Sequence, residues 1–284
     1  MENVRIALVQ MQSSVGEITR NLDVMRKYIE EAKKKSVKII CFPELAVQGY
    51  TRELAGGLAE VIPSSASEVL VSLAKANNIT IITGIIEKSS TIKPYITQLI
   101  CTHKGELFRY RKTHLGISEE PFFTPGNELP VFNIKEANFA VQVCWDLHFP
   151  EVSAIYSLNG AEIIFAPHAS PTIVGDRKEI WLRYLTARAY DNSVFICSCN
   201  LIGINGQGSE FGGGCLVIDP KGQVIGEDFS GKEGMLIVDL PSDEINKIRY
   251  QERKSMRYSY YLDYRRPELY GELINGVKGT EFLT

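Results

Sequence analysis

The chain alternates between two hydrophobic periodicities, and this alternation limits it to folds in which helices cover a sheet. The segment VRIALVQ (4–10) is typical of a strand, and the region after it carries one helical stripe. Similar apolar strands recur with helical segments between them. Short apolar strands separated by helices predict buried sheets in an α/β fold. These strands are VKIICF (37–42), ITIITGIIE (79–87), NFAVQVC (138–144) and AEIIFAPH (161–168).

Two further segments predict hairpins, so the sheets should be mixed. They are YITQLICTHKGELFRYRK (95–112) and CLVIDPKGQVIGE (215–227). Because no stretch has the composition of a linker, a single domain spanning 1–284 is predicted. The C-terminal extension, about 241–284, is rich in Tyr and Arg after a short helical segment. This composition is typical of interfaces, and we expect the extension at a subunit interface.

Charge and hydropathy argue against several classes of partner. The formal net charge is -3 and the pI is about 5.9, which provides no basic field for nucleic acid or anionic lipid. The longest near-apolar run, ITIITGII (79–86), is too short to span a bilayer, so no membrane partner is expected. The first ten residues lack the apolar core of a signal peptide. A cytoplasmic location is therefore predicted.

The cysteines and histidines indicate neither disulfides nor a metal site. Six cysteines are present, but a chain of 284 residues without a secretion signal has enough core to fold without disulfides. There is no C-x-x-C pair, and the four histidines do not fall at zinc-ligand spacing from the cysteines. We expect reduced thiols and no metal or other cofactor.

Three reactive side chains directly follow predicted strands, where α/β proteins gather their ligands. Glu44 follows IICFP, Lys112 follows LFRYR, and Cys144 follows FAVQV. Each alone has an ordinary explanation as a capping carboxylate, a surface charge or a small buried filler. The set has a common chemistry: a base and a cation can activate a thiol that is mostly protonated at neutral pH.

The three motifs FPELAVQGY, YRKTHL and CWDLHFPE, in this order, resemble the carbon-nitrogen hydrolase (nitrilase) family. Flanking matches extend the resemblance over nearly the whole chain: EEPFFTPG, NGAEIIFAPHAS, TARAYDNSVF and RRPELYGEL. The resemblance implies a four-layer α-β-β-α sandwich, commonly dimerised, and hence a homodimer or higher homo-oligomer. It also implies a cofactor-free enzyme in which Glu44, Lys112 and Cys144 form the catalytic set.

In the expected reaction, Cys144 attacks a carbonyl carbon and Glu44 takes the thiol proton. Lys112 and the backbone N–H of Trp145 would hold the oxyanion. The resemblance adds a second glutamate near the lysine, and counting back from Gly126 selects Glu119 rather than its neighbour.

Three other residues are expected to have supporting roles. The ring of Trp145 is expected either to wall the pocket or to pack in the core. His168 follows a strand and is expected to contact substrate. Arg188 is expected to pair with a carboxylate such as Glu151 and so to brace the cysteine loop.

The predicted activity is hydrolysis of a small linear amide or N-carbamoyl compound through a thioester on Cys144, with release of ammonia or an amine. Alternatives remain open. The chain could be a nitrilase or an acyltransferase of the same family, or a Cys-His amidotransferase with His114 or His148 as base. From another class, it could be an inactive binding protein that retains the fold.

Overall fold

Two six-stranded mixed sheets form the centre of the computed structural model, which describes residues 1–251 and 255–275. Two shorter strands form a separate ribbon. The strands are β1 (Val4–Gln10), β2 (Ile39–Cys41), β3 (Thr80–Glu87), β4 (Tyr95–Cys101), β5 (Leu107–Arg111), β6 (Phe132–Asn133), β7 (Asn138–Val141), β8 (Ile163–His168), β9 (Phe195–Asn200), β10 (Ile202–Ile204), β11 (Glu210–Gly212), β12 (Cys215–Ile218), β13 (Val224–Asp228) and β14 (Gly234–Leu240).

Helices connect the parallel strands, as the alternating periodicity predicts. The connecting helices are α1 (Ile18–Lys34), α2 (Ala55–Leu58), α3 (Ser65–Asn77), α4 (Pro150–Leu158) and α5 (Arg177–Asn192), and two more helices, α6 (Ser242–Tyr250) and α7 (Gly271–Asn275), follow β14. Pro150 opens α4 at a position where a missing N–H costs nothing. Short 3-10 turns occupy Cys144–His148, Thr172–Val174, Met256–Tyr258, Tyr261–Tyr264 and Pro267–Leu269.

Each sheet has a parallel centre and antiparallel flanks. The first sheet has the order β14-β1-β2-β3-β4-β5, with β1, β2 and β3 parallel. The second has the order β13-β12-β9-β8-β7-β6, with β7, β8 and β9 parallel. Because β4 runs antiparallel to both β3 and β5, β5 points in the same direction as β2 and β3. The residues after β2 and β5 therefore lie at one edge of the first sheet.

Helices and sheets form four layers, with apolar residues packed between them. Ile6 and Leu8 of β1 belong to a core shared with strands of the second sheet. Ala7 and Val9 face the other way, into a core formed with α1 and α3. On the outer side of the second sheet, α4 and α5 contribute Tyr156 and Trp181 among other buried residues. The predicted α-β-β-α sandwich is confirmed.

The glycine-rich segment GINGQGSEFGGG (203–214) contains the turn and most of both strands of the β10-β11 ribbon. The amide oxygen of Asn205 accepts hydrogen bonds from the backbone N–H groups of Gln207 and Ser209, at 2.9 and 3.1 Å. These bonds close the turn locally, and the ribbon pairs at Gly203 and Phe211. The glycine-rich composition concealed this pairing.

The described part of the C-terminal extension packs on the chain's own helices. Arg249 of α6 donates to Ser157 Oγ at 2.9 Å, and the hydroxyl of Tyr261 lies 2.9 Å from that of Tyr190 in α5. Residues 252–254 and 276–284 of the extension lie outside the described residues. Its role at a subunit interface, the homodimer and the single domain over 1–284 stay predictions. No helix in the described ranges is long and apolar enough to cross a membrane.

Close approach of two backbones shapes the turn after β2. Gly84 in β3 lies against this turn, and a Cβ at Gly84 would come within 2.0 Å of the backbone nitrogen of Leu45. Leu45 itself has a φ of 52°, in the left-handed region. The turn that presents Glu44 thus depends on the absence of a side chain at Gly84.

We expect Gly84→Ala to lower the free energy of unfolding by about 1–3 kcal/mol, since the added methyl must push the Glu44 turn aside. Chemical denaturation measures this change. Gly56→Ala in α2 is the matched control, because nothing lies within 4 Å of a Cβ built there. Equal denaturation midpoints for Gly84→Ala and the unmutated protein would contradict the prediction.

Candidate active site

A buried lysine lies between two carboxylates at the end of β5. Lys112 Nζ is 2.8 Å from Glu44 Oε1 and 2.9 Å from Glu119 Oε1. The Lys112 side chain is 1% exposed. Burial alone would lower the pKa of Lys112, but the adjacent Glu44 and Glu119 raise it well above its usual value. The ammonium is therefore a permanent positive charge in the site.

Glu44 links the two sheets. Its Oε1 contacts Lys112, whereas its Oε2 accepts a hydrogen bond of 2.9 Å from the backbone N–H of Ala169, just beyond β8. Burial raises the pKa of Glu44 to about 7, with Glu119 adding to the rise and Lys112 opposing it. A carboxyl group with this pKa can both accept and return a proton near neutral pH.

Glu119, rather than Glu120, faces the lysine. Its Oε1 accepts from the Tyr50 hydroxyl at 2.9 Å, and its Oε2 accepts from the backbone N–H of Gly116 at 2.8 Å. Glu120 is exposed. The residue selected by counting back from Gly126 is thus the one that the fold places beside Lys112.

Cys144 begins the 3-10 turn after β7 and has a φ of 47°. Non-glycine residues rarely adopt this left-handed conformation, which recurs at functional sites. Its Sγ is 3.4 Å from Ser170 Oγ. Burial and the negative charge of Glu44 raise the pKa of Cys144 to about 12, although Lys112 opposes the rise. The resting side chain is a neutral thiol that needs a base.

Sequence reasoning missed the role of Asp146, which ties the cysteine turn to the lysine segment. Its fully buried carboxylate accepts hydrogen bonds from the Tyr110 hydroxyl at 2.7 Å, the His114 backbone N–H at 2.8 Å and the Val143 backbone N–H at 3.0 Å. These donors flank Lys112 and Cys144. The acid in the motif CWD was the available signal for Asp146, and the tyrosine in FPELAVQGY was the available signal for Tyr50, which contacts Glu119. Neither motif indicates which residue the side chain contacts.

Arg188 braces the cysteine turn by a route different from the expected one. Its guanidinium donates to the backbone carbonyls of Leu147 at 3.0 Å and His148 at 3.4 Å. The hydrogen bonds to the turn therefore run to carbonyl oxygens rather than to the Glu151 carboxylate.

A cavity of about 910 Å³ is lined by Lys112, Glu119 and Cys144, and both Trp145 and His168 line it as well. Trp145 is 40% exposed, so its ring forms a wall of the cavity instead of packing in the core. His168 is buried, and its Nδ1 lies 2.7 Å from the Ala166 carbonyl oxygen. Since a carbonyl only accepts, Nδ1 carries the proton and Nε2 is an acceptor.

The two histidines considered as bases lie away from the thiol. His114 stacks on Phe149 at 3.9 Å, while His148 lies with its ring 4.7 Å from that of Trp145. Within residues 1–251 and 255–275, neither imidazole forms a hydrogen bond with Cys144 Sγ. The same ranges contain no group of three or more His, Cys, Asp or Glu side chains suited to a metal ion.

Comparison with known proteins agrees with this geometry. A family model described as carbon-nitrogen hydrolase matches residues 5–250. The chain belongs to the carbon-nitrogen hydrolase family. Like other members, this carbon-nitrogen hydrolase is an enzyme that acts on non-peptide C–N bonds.

Individual relatives are similar over most of their length. The carbon-nitrogen hydrolase is 30% identical to a probable nitrilase of Schizosaccharomyces pombe, covering 95% of this chain and 98% of that protein. It is 28% identical to a 2-oxoglutaramate amidase of Bacillus subtilis, with 86% and 93% covered. A crystal structure of an amidase from Nesterenkonia sp. superposes with a TM-score of 0.82 at 27% identity, covering 96% and 97%.

We expect kcat/KM to rise with pH through about 7, because the predicted base is the ionised form of Glu44 and the pKa of Glu44 is about 7. Glu119→Gln removes a negative charge that raises this pKa. The acid limb should therefore move to lower pH by about one unit, along with a loss of rate. The measurement is a pH profile of kcat/KM.

The matched control is Glu120→Gln, which changes an exposed carboxylate in the adjacent position. Its acid limb should coincide with that of the unmutated enzyme. An unmoved limb in Glu119→Gln, or an equal shift in both variants, would refute the assignment.

Proposed function

We propose that this carbon-nitrogen hydrolase is an amidase that converts a small linear carboxamide to a carboxylic acid and ammonia. The observation that carries the proposal is the buried Lys112 ammonium between Glu44 and Glu119, at the wall of the cavity that contains Cys144. Lys112 and Cys144 line the same cavity and Glu44 contacts Lys112, so a base, a fixed positive charge and a nucleophile lie close together.

In the proposed reaction, the Cys144 thiol attacks the amide carbon as Glu44 accepts its proton. The two events are coupled because the pKa of the thiol, about 12, lies far above that of Glu44, about 7. Lys112 stabilises the negative charge that develops on the carbonyl oxygen. Glu44 then returns the proton to the departing nitrogen. The C–N bond breaks, ammonia leaves, and the acyl group remains on Cys144 as a thioester.

Water completes the cycle by attacking the thioester carbon while Glu44 takes one of its protons. Collapse of this second intermediate breaks the C–S bond, and the proton returns to the thiolate. Glu119 holds Lys112 in place throughout, and its bond from Tyr50 fixes the carboxylate. Glu119 acts as a positioning residue in this scheme.

The choice of carboxamides is supported by the names of similar proteins. Structures of the Nesterenkonia amidase include complexes with butyramide and acrylamide, at 27% and 26% identity to this chain. Relatives at 28% identity include omega-amidases from Saccharomyces cerevisiae and Xenopus tropicalis. Such likeness favours amides over N-carbamoyl compounds as the starting point for assays.

Ammonia release from a substrate panel tests the proposal. The panel comprises short aliphatic carboxamides, N-carbamoyl amines, N-carbamoyl amino acids and nitriles. We expect turnover of carboxamides, and none by Cys144→Ala. Turnover of ureides or nitriles without any carboxamide would refute the proposal, as would replacement of the acid product by a new amide when millimolar amine is added.

A labelling experiment tests the nucleophile independently of substrate. Native protein treated with a 2-haloacetamide should gain one acetamide group per chain at Cys144, because the other five cysteines are 0% exposed. Mass spectrometry measures the stoichiometry and the site. Glu44→Gln should slow labelling by about tenfold or more, since it removes the base.

Cys144→Ala is the control and should remain unlabelled. Labelling of a different cysteine at the same rate, or a native protein inert to the reagent, would favour the inactive binding protein over an enzyme.

A further inference from the structure

The Cys144 sulfur has a polar neighbour that the proposed reaction leaves unused. Ser170, the second residue beyond β8, places its Oγ 3.4 Å from Cys144 Sγ. Ser170 is 8% exposed and lines the same cavity as Cys144. A hydroxyl can donate one hydrogen bond, and in the described part of the chain this hydroxyl has no partner besides the sulfur. Its proton is therefore available to the nucleophile.

A buried asparagine fixes the backbone of Ser170. Asn200, the last residue of β9, is fully buried. Its Oδ1 accepts from the Ser170 N–H at 2.8 Å, and its Nδ2 donates to the Ser170 carbonyl oxygen at 3.1 Å. The same Nδ2 also donates to the Gly213 carbonyl oxygen at 3.1 Å. Because three bonds fix the amide in one orientation, the end of β9 sets where the Ser170 hydroxyl lies.

The segment held by Asn200 contacts both the base and the nucleophile. The Ala169 backbone N–H donates to Glu44 Oε2 at 2.9 Å, and the next residue contacts Cys144. Since adjacent residues make these two contacts, a shift of the segment changes both of them together. Asn200 is thus linked to Glu44 and to Cys144 through this segment.

The charges around the sulfur favour a neutral donor beside it. Burial and the carboxylates of Glu44 and Glu119 disfavour negative charge on Cys144. The Lys112 ammonium and the hydrogen bond with Ser170 favour it. The ammonium is already engaged by the two carboxylates, at 2.8 and 2.9 Å, and it must also stabilise the oxyanion. A hydrogen bond to a charged sulfur is stronger than one to a neutral thiol, so the hydroxyl acts chiefly when charge develops.

We propose that Ser170 is a further catalytic residue, whose hydroxyl donates a hydrogen bond to the Cys144 sulfur when the sulfur carries negative charge, and that Asn200 positions it. As Glu44 takes the thiol proton, Ser170 keeps its own proton and donates it in a hydrogen bond to the attacking sulfur. When the C–S bond breaks, the sulfur takes the bonding electrons, and Ser170 stabilises this thiolate until Glu44 returns the proton. These two steps rest on the proposed amidase function, whereas the hydrogen bond to a thiolate does not.

Alkylation of Cys144 by 2-iodoacetamide tests this role without requiring hydrolysis. Ser170→Ala should slow labelling by about tenfold or more, because the attacking thiolate loses a charge-assisted hydrogen bond. Ser170→Thr keeps the hydroxyl and should retain most of the rate. The rate is measured by mass spectrometry as a function of pH. Since Ser170→Ala leaves the bond from Ala169 to Glu44 in place, the acid limb near pH 7 should not move.

The matched control is Ser118→Ala, which removes an exposed hydroxyl from the lining of the same cavity. It should label at the rate of the unmutated protein. Equal labelling rates for Ser170→Ala and the unmutated protein would overturn the inference, as would an equal loss of rate in Ser118→Ala and Ser170→Ala.

The position of the acid limb tests Asn200. Burial raises the pKa of Glu44, and the hydrogen bond from Ala169 opposes this rise. Asn200→Ala frees the 169–170 segment, so the Ala169 N–H holds the ionised Glu44 less firmly. The acid limb of labelling should therefore move to higher pH by about half a pH unit or more, with a lower plateau. The variant leaves unchanged the titratable side chains beside Glu44, which include Lys112, Glu119, Cys144 and Tyr50.

Asn21→Ala is the matched control for Asn200→Ala. Asn21 is also buried, and its amide accepts from the Ser14 N–H and donates to the carbonyl oxygens of Ser14 and Val47. Both variants remove a three-bond contact and should lower the denaturation midpoint, but the acid limb of Asn21→Ala should coincide with that of the unmutated protein. An acid limb that moves equally in both variants, or in neither, would overturn the positioning role of Asn200.

Rates of amide hydrolysis separate this inference from the proposed function. Ser170→Ala should lower kcat for butyramide by about tenfold or more and change KM little. If Ser170→Ala matches the unmutated enzyme in both hydrolysis and labelling, the amidase stands and the role of Ser170 is refuted. If no carboxamide is hydrolysed but Ser170→Ala slows labelling, the amidase fails and the hydrogen bond to the thiolate stands.

Discussion

The ammonium group of Lys112 is the constraint around which the site is built. An isolated charge removed from water is prohibitively costly, so its burial requires acceptors at short range. Glu44 and Glu119 supply them at 2.8 and 2.9 Å. Two carboxylates share one cation, and one of them must carry the surplus negative charge in a buried place. That surplus, together with burial, is why the pKa of Glu44 lies near 7 and why a carboxyl group can serve here as a base at neutral pH.

The fold meets this constraint by joining strand ends that are distant in sequence. Glu44 follows β2, Lys112 follows β5, and both belong to the first sheet. Two glycines permit the necessary close approach. A Cβ at Gly84 would strike the Leu45 nitrogen at 2.0 Å, and one at Gly126 would strike the Arg111 carbonyl oxygen at 2.3 Å. Stacking of the second sheet brings Cys144 to the same place, where the bond from Ala169 to Glu44 and the bonds to Asp146 join the two halves.

The same architecture separates the chemistry from the recognition of substrate. The predicted catalytic side chains follow strand ends and are held by buried hydrogen bonds, so they have little freedom to move. The outer wall of the cavity comes from the segment after β8, the start of α5 and the loop beside β11. Changes in these loops can alter which acyl chain fits without disturbing Lys112. This outer wall is where a family with one mechanism can acquire different specificities.

The sequence by itself determined the alternation of strands and helices, the mixed sheets and the α/β class. The spacing of apolar residues along the chain indicates the type of each element and which of its sides is buried. The ordered motifs also predicted Glu44, Lys112 and Cys144 as a catalytic set, and the family resemblance with a count of residues predicted Glu119 beside the lysine. Only the tertiary structure decided that Tyr50 holds Glu119, that Asp146 joins two loops and that Trp145 lines the cavity. These facts depend on contacts between residues far apart in the chain. Local periodicity contains no information on which loops meet, nor on how much water their meeting excludes from a charge.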